Sequence, residues 1–169
     1  MVPDDVMFEM VQKRLEQPDV QDGFLFDGFP RNLSQAERLQ TVSPLNLVVN
    51  LTLPEHILVE KIMGRRTCAG CGTGYNITHI DEGEYQMPPL LPKVQGQCDN
   101  CGGTEFFQRT DDTEEIVRKR LDLYKTETMP LVEFYEKEGL LFTFHVRKGL
   151  ADLEELKRCI IQSWKKESV

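Results

Sequence analysis

Apolar residues recur at intervals of three and four positions in several stretches of this chain. That period is typical of amphipathic helices. The pattern predicts helices over residues 3–15, 34–39, 54–66, 111–135 with a bend at Pro130, and 153–164. In the first helix the predicted apolar face consists of Val6, Met10, Val11 and Leu15.

Three short apolar runs lie between these helices, at residues 24–26, 46–53 and 140–146, and predict buried strands. Because strands alternate with helices, we expect an α/β domain with a parallel sheet and crossover helices. The sequence from 67 to 108 loses the helical period and gains glycine, proline and cysteine. We therefore expect a core of residues 1–64 and 111–169, interrupted by residues 65–110, here called the insert.

The composition limits the class of protein. The chain has 169 residues, of which 40% are hydrophobic, and this suits one domain with an inserted subdomain. The formal charge of −8 argues against a broad nucleic-acid-binding surface. No apolar run is long enough to cross a membrane, and the acidic N-terminus resembles neither a secretory nor a transit peptide. The sequence predicts a soluble intracellular protein without nucleic-acid or membrane partners.

Two C-x-x-C pairs lie in the insert, Cys68 with Cys71 and Cys98 with Cys101, each followed by glycine. Such a turn lets two sulfurs reach one ion, and four thiolates complete the tetrahedral site that structural zinc prefers. Two disulfides, a redox-active pair, or iron in a similar site are the alternatives. Zinc is favoured because intracellular chains rarely keep disulfides and a redox motif needs a single pair. Cys159, alone on the last helix, is interpreted as a buried small hydrophobe.

Arginines lie at both ends of the insert. Arg65 leads into it, and Arg109 leads out of it, followed by Arg120 on the next predicted helix. Guanidinium groups suit phosphate because they offer forked donors and stay charged. An insert stiffened by metal is predicted to close as a flap and bring these arginines over a bound anion. Arg118 and Lys119 are interpreted instead as solvated helix charges.

The segment Asp27-Gly-Phe-Pro-Arg31 follows the first predicted strand. Ligands gather beyond the carboxyl ends of parallel strands, so Asp27 is expected to hold the water shell of Mg²⁺. Gly28 permits close backbone approach, and Arg31 is expected to bind a phosphate at the helix start. Gln35 offers a donor and an acceptor to a base edge. A capping role for Asp27 and a solvated Gln35 are the alternatives.

Together these motifs resemble adenylate kinase of the long-lid type with a zinc-binding lid. The resemblance rests on residues 24–31 with Gln35, residues 64–66, the two cysteine pairs and residues 108–121. It implies the P-loop nucleoside monophosphate kinase fold with an inserted zinc-binding lid. It also implies magnesium-dependent phosphoryl transfer from ATP to AMP, giving ADP. A monomeric enzyme of the cytoplasm, or of an organelle such as the mitochondrial matrix or a plastid, is expected.

The resemblance also implies a role for each matching residue near the first predicted strand. Asp27 would hold the magnesium's waters. Arg31 would bind the phosphate of AMP, and Gln35 would face its adenine. Gly28 and the backbone of Val2 would line the same pocket.

Further roles are implied around the insert. Arg65 and Arg109 would contact ATP from the lid, and Arg109 and Arg120 would help to bind AMP by neutralising phosphate charge. Asp111 and Asp112 would join the two sides of the lid hinge. The implied catalytic set is Asp27, Arg31, Arg65, Arg109 and Arg120.

The chain departs from the family pattern at the phosphate-binding loop. Adenylate kinases carry G-x-x-x-x-G-K, whose amides and lysine hold the phosphates. Gly23 and Gly28 have the glycine spacing, but Phe29 stands where lysine is required. The chain is therefore expected to be N-terminally truncated, to lack the first strand and the P-loop, and to have little or no activity by itself. The alternative is a non-catalytic, zinc-stapled module that binds a nucleotide or a protein.

Overall fold

The computed structural model describes residues 4–20 and 22–166, and the chain divides into two compact units. Unit 1 comprises Met1–Val48 and Leu123–Leu141. Unit 2 comprises Val49–Asp122 and Phe142–Val169. Unit 2 therefore contains the whole insert.

The helices follow the apolar period closely. They are α1 (Asp4–Leu15), α2 (Leu33–Val42), α3 (Glu55–Met63), α4 (Glu114–Leu123), α5 (Pro130–Lys137) and α6 (Leu153–Lys166). Short 3₁₀ turns occupy Pro18–Val20 and Gly149–Asp152. The prediction that Pro54 opens a helix is confirmed, since it is the N-cap of α3.

The predicted apolar face of α1 is wrong in part. Phe8 is the buried residue of this helix, and Val11 and Leu15 are half-buried. Val6 and Met10 point to solvent. The packed positions are therefore Phe8, Val11 and Leu15, with spacings of three and then four residues. The centroid of the Phe8 ring lies 4.3 Å from Cζ of the Arg38 guanidinium.

The predicted helix over 111–135 is interrupted. After α4 the chain forms a π-helical turn over Tyr124–Thr128, in which the Met129 amide donates to the Tyr124 carbonyl at 2.9 Å. Pro130 then opens α5 as its first residue. A proline inside a regular helix lacks an amide donor and clashes with the carbonyl four residues earlier, so a wider turn before Pro130 is a natural solution.

The strand predicted at 24–26 is also wrong. Among the described residues no strand pairs with this segment. Leu25 is 90% exposed, so the segment is not buried. Its aromatic rings contact one another instead. The centroid of the Phe26 ring lies 4.9 Å from that of Phe24 and 5.5 Å from that of Phe29. An apolar run becomes a strand only when a neighbour pairs with its backbone, and an apolar pattern does not specify that neighbour.

Two predicted strands are confirmed and pair with each other. They are β1 (Val48–Thr52) and β7 (Leu141–His145). The pairing is parallel, because side-chain contacts advance together along both strands, from Asn50 with Thr143 to Thr52 with His145. The α/β class with parallel strands is thus confirmed.

The insert consists of small antiparallel sheets. Its strands are β2 (Arg65–Cys68), β3 (Gly74–Asn76), β4 (Ile80–Glu82), β5 (Tyr85–Met87) and β6 (Phe106–Phe107). They form a three-stranded sheet in the order β3-β2-β6 and a hairpin of β4 with β5. The loss of helical period in the sequence therefore marks a change from helix to short strands.

Each unit has its own apolar core. In unit 1 the core gathers around Ala36, Leu131 and Tyr135. In unit 2 one cluster contains Ile57, Ile80 and Met87, so the β4–β5 hairpin packs on α3. A second cluster contains Cys68, Tyr75 and Cys98. Across residues 4–20 and 22–166, none of the helices combines the length and the apolar character that a membrane span requires.

Candidate functional site

In unit 1, residues 27–31, here called the DGFPR turn, fold tightly around Gly28. Gly28 has φ of +71°, a conformation that glycine adopts at little cost. The Arg31 side chain bends back over it, and Nε donates to the Gly28 carbonyl at 2.7 Å. From the other side, Thr128 Oγ1 donates to the Arg31 carbonyl at 2.8 Å. Two side chains far apart in sequence thus meet at this turn.

Gln35 is held by partners on both sides of its carboxamide. Oε1 accepts from the Arg31 amide at 2.7 Å, and Nε2 donates to Asp4 Oδ1 at 2.6 Å. Because an amide must donate and a carboxylate must accept, these partners fix which way the carboxamide points. Asn32 caps α2 by accepting from the Gln35 amide at 2.9 Å. Gln35 is 8% exposed, so it is not the solvated residue of the alternative interpretation.

Sequence reasoning missed Asp4 and Asn32. Asn32 lies directly before a predicted helix, which is a capping signal that could have identified it. Nothing in the sequence indicates that Asp4 contacts Gln35.

Asp27 is exposed, and it makes no hydrogen bond or ion pair with any residue in the described ranges 4–20 and 22–166. It forms no cap, because Asn32 occupies the N-cap position of α2. Its carboxylate is therefore accessible to solvent. Val2, which the resemblance assigns to the same pocket, lies outside the described residues.

In unit 2, Arg65 and Asp112 form a forked ion pair at the base of the insert. Arg65 Nε donates to Asp112 Oδ2 at 3.0 Å, and Nη2 donates to Oδ1. The Asp112 side chain is fully buried, whereas that of Arg65 is 35% exposed. The hydrogen bond to Asp112 raises the pKa of Arg65 above its ordinary value. Arg65 is thus held rigidly and stays charged.

Gln108 adds a second link between the two ends of the insert. Its Nε2 donates to the Met63 carbonyl at 3.1 Å and to the Asp112 carbonyl at 2.8 Å. Arg65 and Asp112 join the same two chain segments. The ends of the insert are therefore fixed to each other by side chains as well as by strand pairing.

Asp111 lies between two arginines. Arg109 Nε donates to it at 3.2 Å, and Arg120 Nη1 donates to it at 3.4 Å. All three side chains are substantially exposed. The neighbouring Arg118 and Lys119 instead form exposed pairs with glutamates one helical turn away, as expected for solvated helix charges.

The four insert cysteines converge on one point. Their sulfurs all lie within 4.8 Å of one another, with 3.6 Å between Cys68 and Cys101 and 3.6 Å between Cys71 and Cys98. Sulfurs around a tetrahedral zinc ion, at about 2.3 Å from the metal, lie about 3.8 Å apart. A disulfide would require about 2.05 Å, and all four cysteines are free. The residues fit a Cys₄ zinc site, and their sulfur separations are too long for disulfides.

Hydrogen-bond donors surround these sulfurs. Tyr75 is buried in β3, and its hydroxyl donates to Cys98 Sγ at 3.4 Å. This contact is the main reason that the pKa of Cys98 is lowered to about 5, and it raises that of Tyr75 to about 12. Thr73 Oγ1 lies 3.1 Å from Cys71 Sγ and lowers the pKa of that thiol. These donors favour thiolate, the form that binds metal, at Cys98 and Cys71. At Cys101 the hydrogen bond with the Gly103 backbone lowers the pKa, but the neighbouring thiols of Cys71 and Cys68 and burial outweigh it and raise the pKa to about 12.

Comparison with known proteins identifies the family. The profile described as "Adenylate kinase" matches residues 1–140. The adenylate kinase of Thermodesulfovibrio yellowstonii is 47% identical over 146 residues, which is 83% of this chain and 63% of that protein. That of Paramagnetospirillum magneticum is 38% identical over 98% of this chain and 74% of its own length.

A plant relative extends the comparison. "Adenylate kinase 1, chloroplastic" of Arabidopsis thaliana is 41% identical over 90% of this chain and 54% of its own length. The chain thus spans between about half and three quarters of the length of these relatives. The matched residues include the DGFPR turn, the four cysteines and the arginines at the ends of the insert. The resemblance drawn from the sequence motifs is therefore confirmed: this chain belongs to the adenylate kinase family.

Proposed function

We propose that this chain serves magnesium-dependent phosphoryl transfer from ATP to AMP, giving ADP. The observation that carries the proposal is the family match over residues 1–140, which includes every residue with a proposed substrate contact. Transfer of this kind depends on alignment and on neutralising charge that spreads over phosphate oxygens. Arginines supply such charge without a covalent step.

In unit 1, Arg31 is proposed to bind the phosphate of AMP. One nitrogen of its guanidinium holds the Gly28 carbonyl, and the two Nη atoms make no hydrogen bond with the described residues. A fork anchored at Nε offers its remaining donors to a phosphate in a fixed direction. Gly28 would shape this pocket, with the backbone of Val2 as a further proposed contact.

Gln35 is proposed to face the adenine of AMP. Each polar atom of its carboxamide uses one hydrogen-bonding position on Arg31 or Asp4. At least one amide hydrogen and one lone pair of the carboxamide remain for a ligand. Adenine offers the complementary pair, an acceptor beside an amino donor.

Asp27 is proposed to hold water molecules of the magnesium ion. Its exposed carboxylate is the oxygen ligand type that magnesium prefers, directly or through water. When bound with ATP, magnesium neutralises phosphate charge. The part played by the chain itself is to orient that water shell.

In unit 2, Arg65, Arg109 and Arg120 are proposed to bind phosphates, the first two those of ATP and the last two that of AMP. The buried carboxylate of Asp112 holds the guanidinium of Arg65 in position. Arg109 and Arg120 share the exposed Asp111, which keeps both side chains extended towards one acceptor. Asp111 and Asp112 would act as hinge residues that place the arginines.

We further propose that residues 65–110 form a lid between core segments 1–64 and 111–169. The four cysteines would bind one structural zinc ion, which would stiffen the lid. A rigid lid would exclude water and limit wasteful hydrolysis.

The chain by itself is proposed to have little or no kinase activity. The sequence G-x-x-x-x-G-K does not occur in its 169 residues. A coupled assay with ATP, AMP and magnesium should give ADP formation near background. Robust ADP formation would contradict this proposal. AMP binding without turnover agrees with this proposal and with the alternative of a non-catalytic nucleotide-binding module.

Calorimetric titration with AMP tests the binding proposal directly. We expect saturable binding by the chain and a loss of about 10-fold or more in Arg31→Ala, since a hydrogen bond to a charged group contributes roughly 1.5–3 kcal/mol. Arg14→Ala is the matched control, because Arg14 is an exposed arginine of unit 1 that pairs with Asp19. Equal AMP affinity in parent and Arg31→Ala would overturn the assignment of Arg31.

A further inference from the structure

Tyr75 connects the second C-x-x-C pair, Cys98 with Cys101, to the three-stranded sheet of the insert. It lies on β3, which pairs with β2 in the three-stranded sheet. Its hydroxyl accepts from the Asp99 amide at 2.8 Å, inside the second cysteine pair. Asp99 Oδ1 in turn accepts from the Lys93 amide at 2.9 Å. A single phenol thus ties the second cysteine turn to the sheet that carries the first pair.

The Tyr75 hydroxyl has one hydrogen to donate, and two acceptors lie within its reach. Its acceptors are Cys98 Sγ at 3.4 Å and Asp99 Oδ2 at 3.4 Å. The Tyr75 ring packs edge-on against Phe106, with 5.4 Å between ring centroids, and only 4% of the residue is exposed. Water therefore has little access to replace this hydroxyl.

Charge explains why Cys98 needs such a donor. Zinc with four thiolates carries a net charge of about −2, which hydrogen bonds to sulfur can spread. Cys71 and Cys101 are exposed and can receive hydrogen bonds from water. Cys98 is 2% exposed, so the protein must supply its donors. The backbone of Asn100 and Cys101 and the side chain of Cys71 also form hydrogen bonds with it, and Tyr75 supplies a hydroxyl group.

We propose that Tyr75 is a positioning residue of the metal site: its hydroxyl fixes the second cysteine pair and donates to the metal-bound Cys98 thiolate, thereby strengthening metal retention. The inference rests on the proposed zinc site. Thr73 plays the corresponding part for Cys71, at 3.1 Å. Because Cys71 is exposed, water can substitute for the Thr73 hydroxyl, and the contribution of Thr73 is the smaller one.

The test compares variants of the whole chain that remove a single hydroxyl group. Zinc affinity, measured by competition with a chelator, should fall about 10-fold or more in Tyr75→Phe, as is typical for loss of a residue that supports a metal ligand. Tyr85→Phe is the matched control, because Tyr85 is a half-buried tyrosine of the same insert that packs in the separate Ile57 cluster. Thr73→Val should lose less than Tyr75→Phe.

A spectroscopic signature separates donation to sulfur from simple packing. A hydrogen bond stabilises the thiolate electrons, so the sulfur-to-metal charge-transfer band of the cobalt-loaded chain should move to longer wavelength in Tyr75→Phe and stay in place in Tyr85→Phe. In the unmutated chain loaded with spin-active cadmium, the Tyr75 hydroxyl proton should show scalar coupling to the metal.

The outcomes distinguish the two proposals. Failure of the parent chain to bind zinc would overturn the zinc site itself. The role of Tyr75 would be overturned if the parent chain binds zinc and Tyr75→Phe binds it with an affinity within about twofold of the parent, with an unshifted charge-transfer band. A Tyr75 hydroxyl signal without coupling to cadmium would overturn donation to Cys98 without depending on any variant.

Discussion

The insert and the DGFPR turn reach their geometry in different ways. In the insert, the side chains that contact the cysteine sulfurs are close in sequence or lie on the adjoining strands, namely Thr73 beside Cys71, and Tyr75 on β3. In the DGFPR turn, the decisive contacts come from far away. Thr128 holds Arg31 across 97 positions, and Asp4 holds Gln35 across 31.

This difference separates a site built from two locally specified halves from a site that is specified throughout by tertiary structure. A C-x-x-C turn brings two sulfurs together by its own backbone geometry, so two such turns define a metal site once they meet. The DGFPR turn orients a guanidinium and an amide only while α1 and residues 123–141 remain packed around it. Substitution of a metal ligand should therefore weaken the metal site itself. The geometry of the DGFPR turn should also change when residues that are distant in sequence and support the turn are substituted.

The largest expected effect is that of removing one metal ligand. Cys98→Ser should weaken zinc binding by at least about a hundredfold, because each of four thiolates contributes roughly a quarter of a large binding free energy. Elemental analysis and chelator competition measure it. Cys159→Ser is the control, since Cys159 is not part of the four-cysteine cluster. Equal zinc retention in the two variants would show that the four sulfurs do not form the site.

The next effect concerns the base of the insert. Asp112→Ala should lower the free energy of unfolding by about 2–3 kcal/mol, because Arg65 loses its buried partner. The loss is moderated because Arg65 is partly exposed and water can solvate its charge. Asp111→Ala should cost less than about 1 kcal/mol, since its ion pairs are exposed. Denaturant unfolding of both variants checks the ranking, and equal losses would contradict the structural role of Asp112.

A close backbone contact gives the third prediction. A Cβ on Gly64 would lie 1.8 Å from Thr78 Oγ1 and 2.8 Å from Asn76 Oδ1. Gly64→Ala should therefore destabilise the protein by about 2 kcal/mol, the usual cost of overpacking. Gly74→Ala is a control in the same insert, because a Cβ there meets nothing within 4 Å. If thermal unfolding shows that Gly74→Ala destabilises the protein more than Gly64→Ala does, this prediction is wrong.

A small effect on stability is expected in the DGFPR turn. Gly28→Ala places a side chain at φ of +71°, which costs about 1 kcal/mol. The new Cβ would also lie 2.9 Å from Arg31 Nη2 and displace the guanidinium. AMP affinity should therefore fall more than the small loss of stability suggests. Calorimetry with AMP showing unchanged affinity would mean that the position of Arg31 over Gly28 does not matter for binding.

The same contrast explains how much the sequence alone could predict. Helix positions and the metal cluster followed from local spacing and capping, as with Pro54 and the cysteine pairs. The strand at 24–26 could not be judged locally, because strand formation depends on a partner. The face of α1 was misassigned because Val6 and Met10 fit an apolar stripe as well as Phe8 does.

Polar contacts across the fold were the hardest to predict. The sequence places Gln35 one turn into a helix, but it does not reveal that Asp4 fixes its carboxamide. Likewise, the residue pair Asp111-Asp112 gives no sign that one carboxylate is buried and the other exposed. Burial of a charged group depends on the three-dimensional surroundings, and the aspartates are identical in type.

We propose that AMP binds at the DGFPR turn and that a metal ion holds the insert independently of AMP. An amide NMR titration of the zinc-loaded chain with AMP is the decisive experiment. Saturable shifts are expected at Gly28, Arg31 and Gln35, with the amides of Cys68, Cys71, Cys98 and Cys101 unchanged. Shifts confined to the insert, or no saturable shift at millimolar AMP, would contradict this proposal.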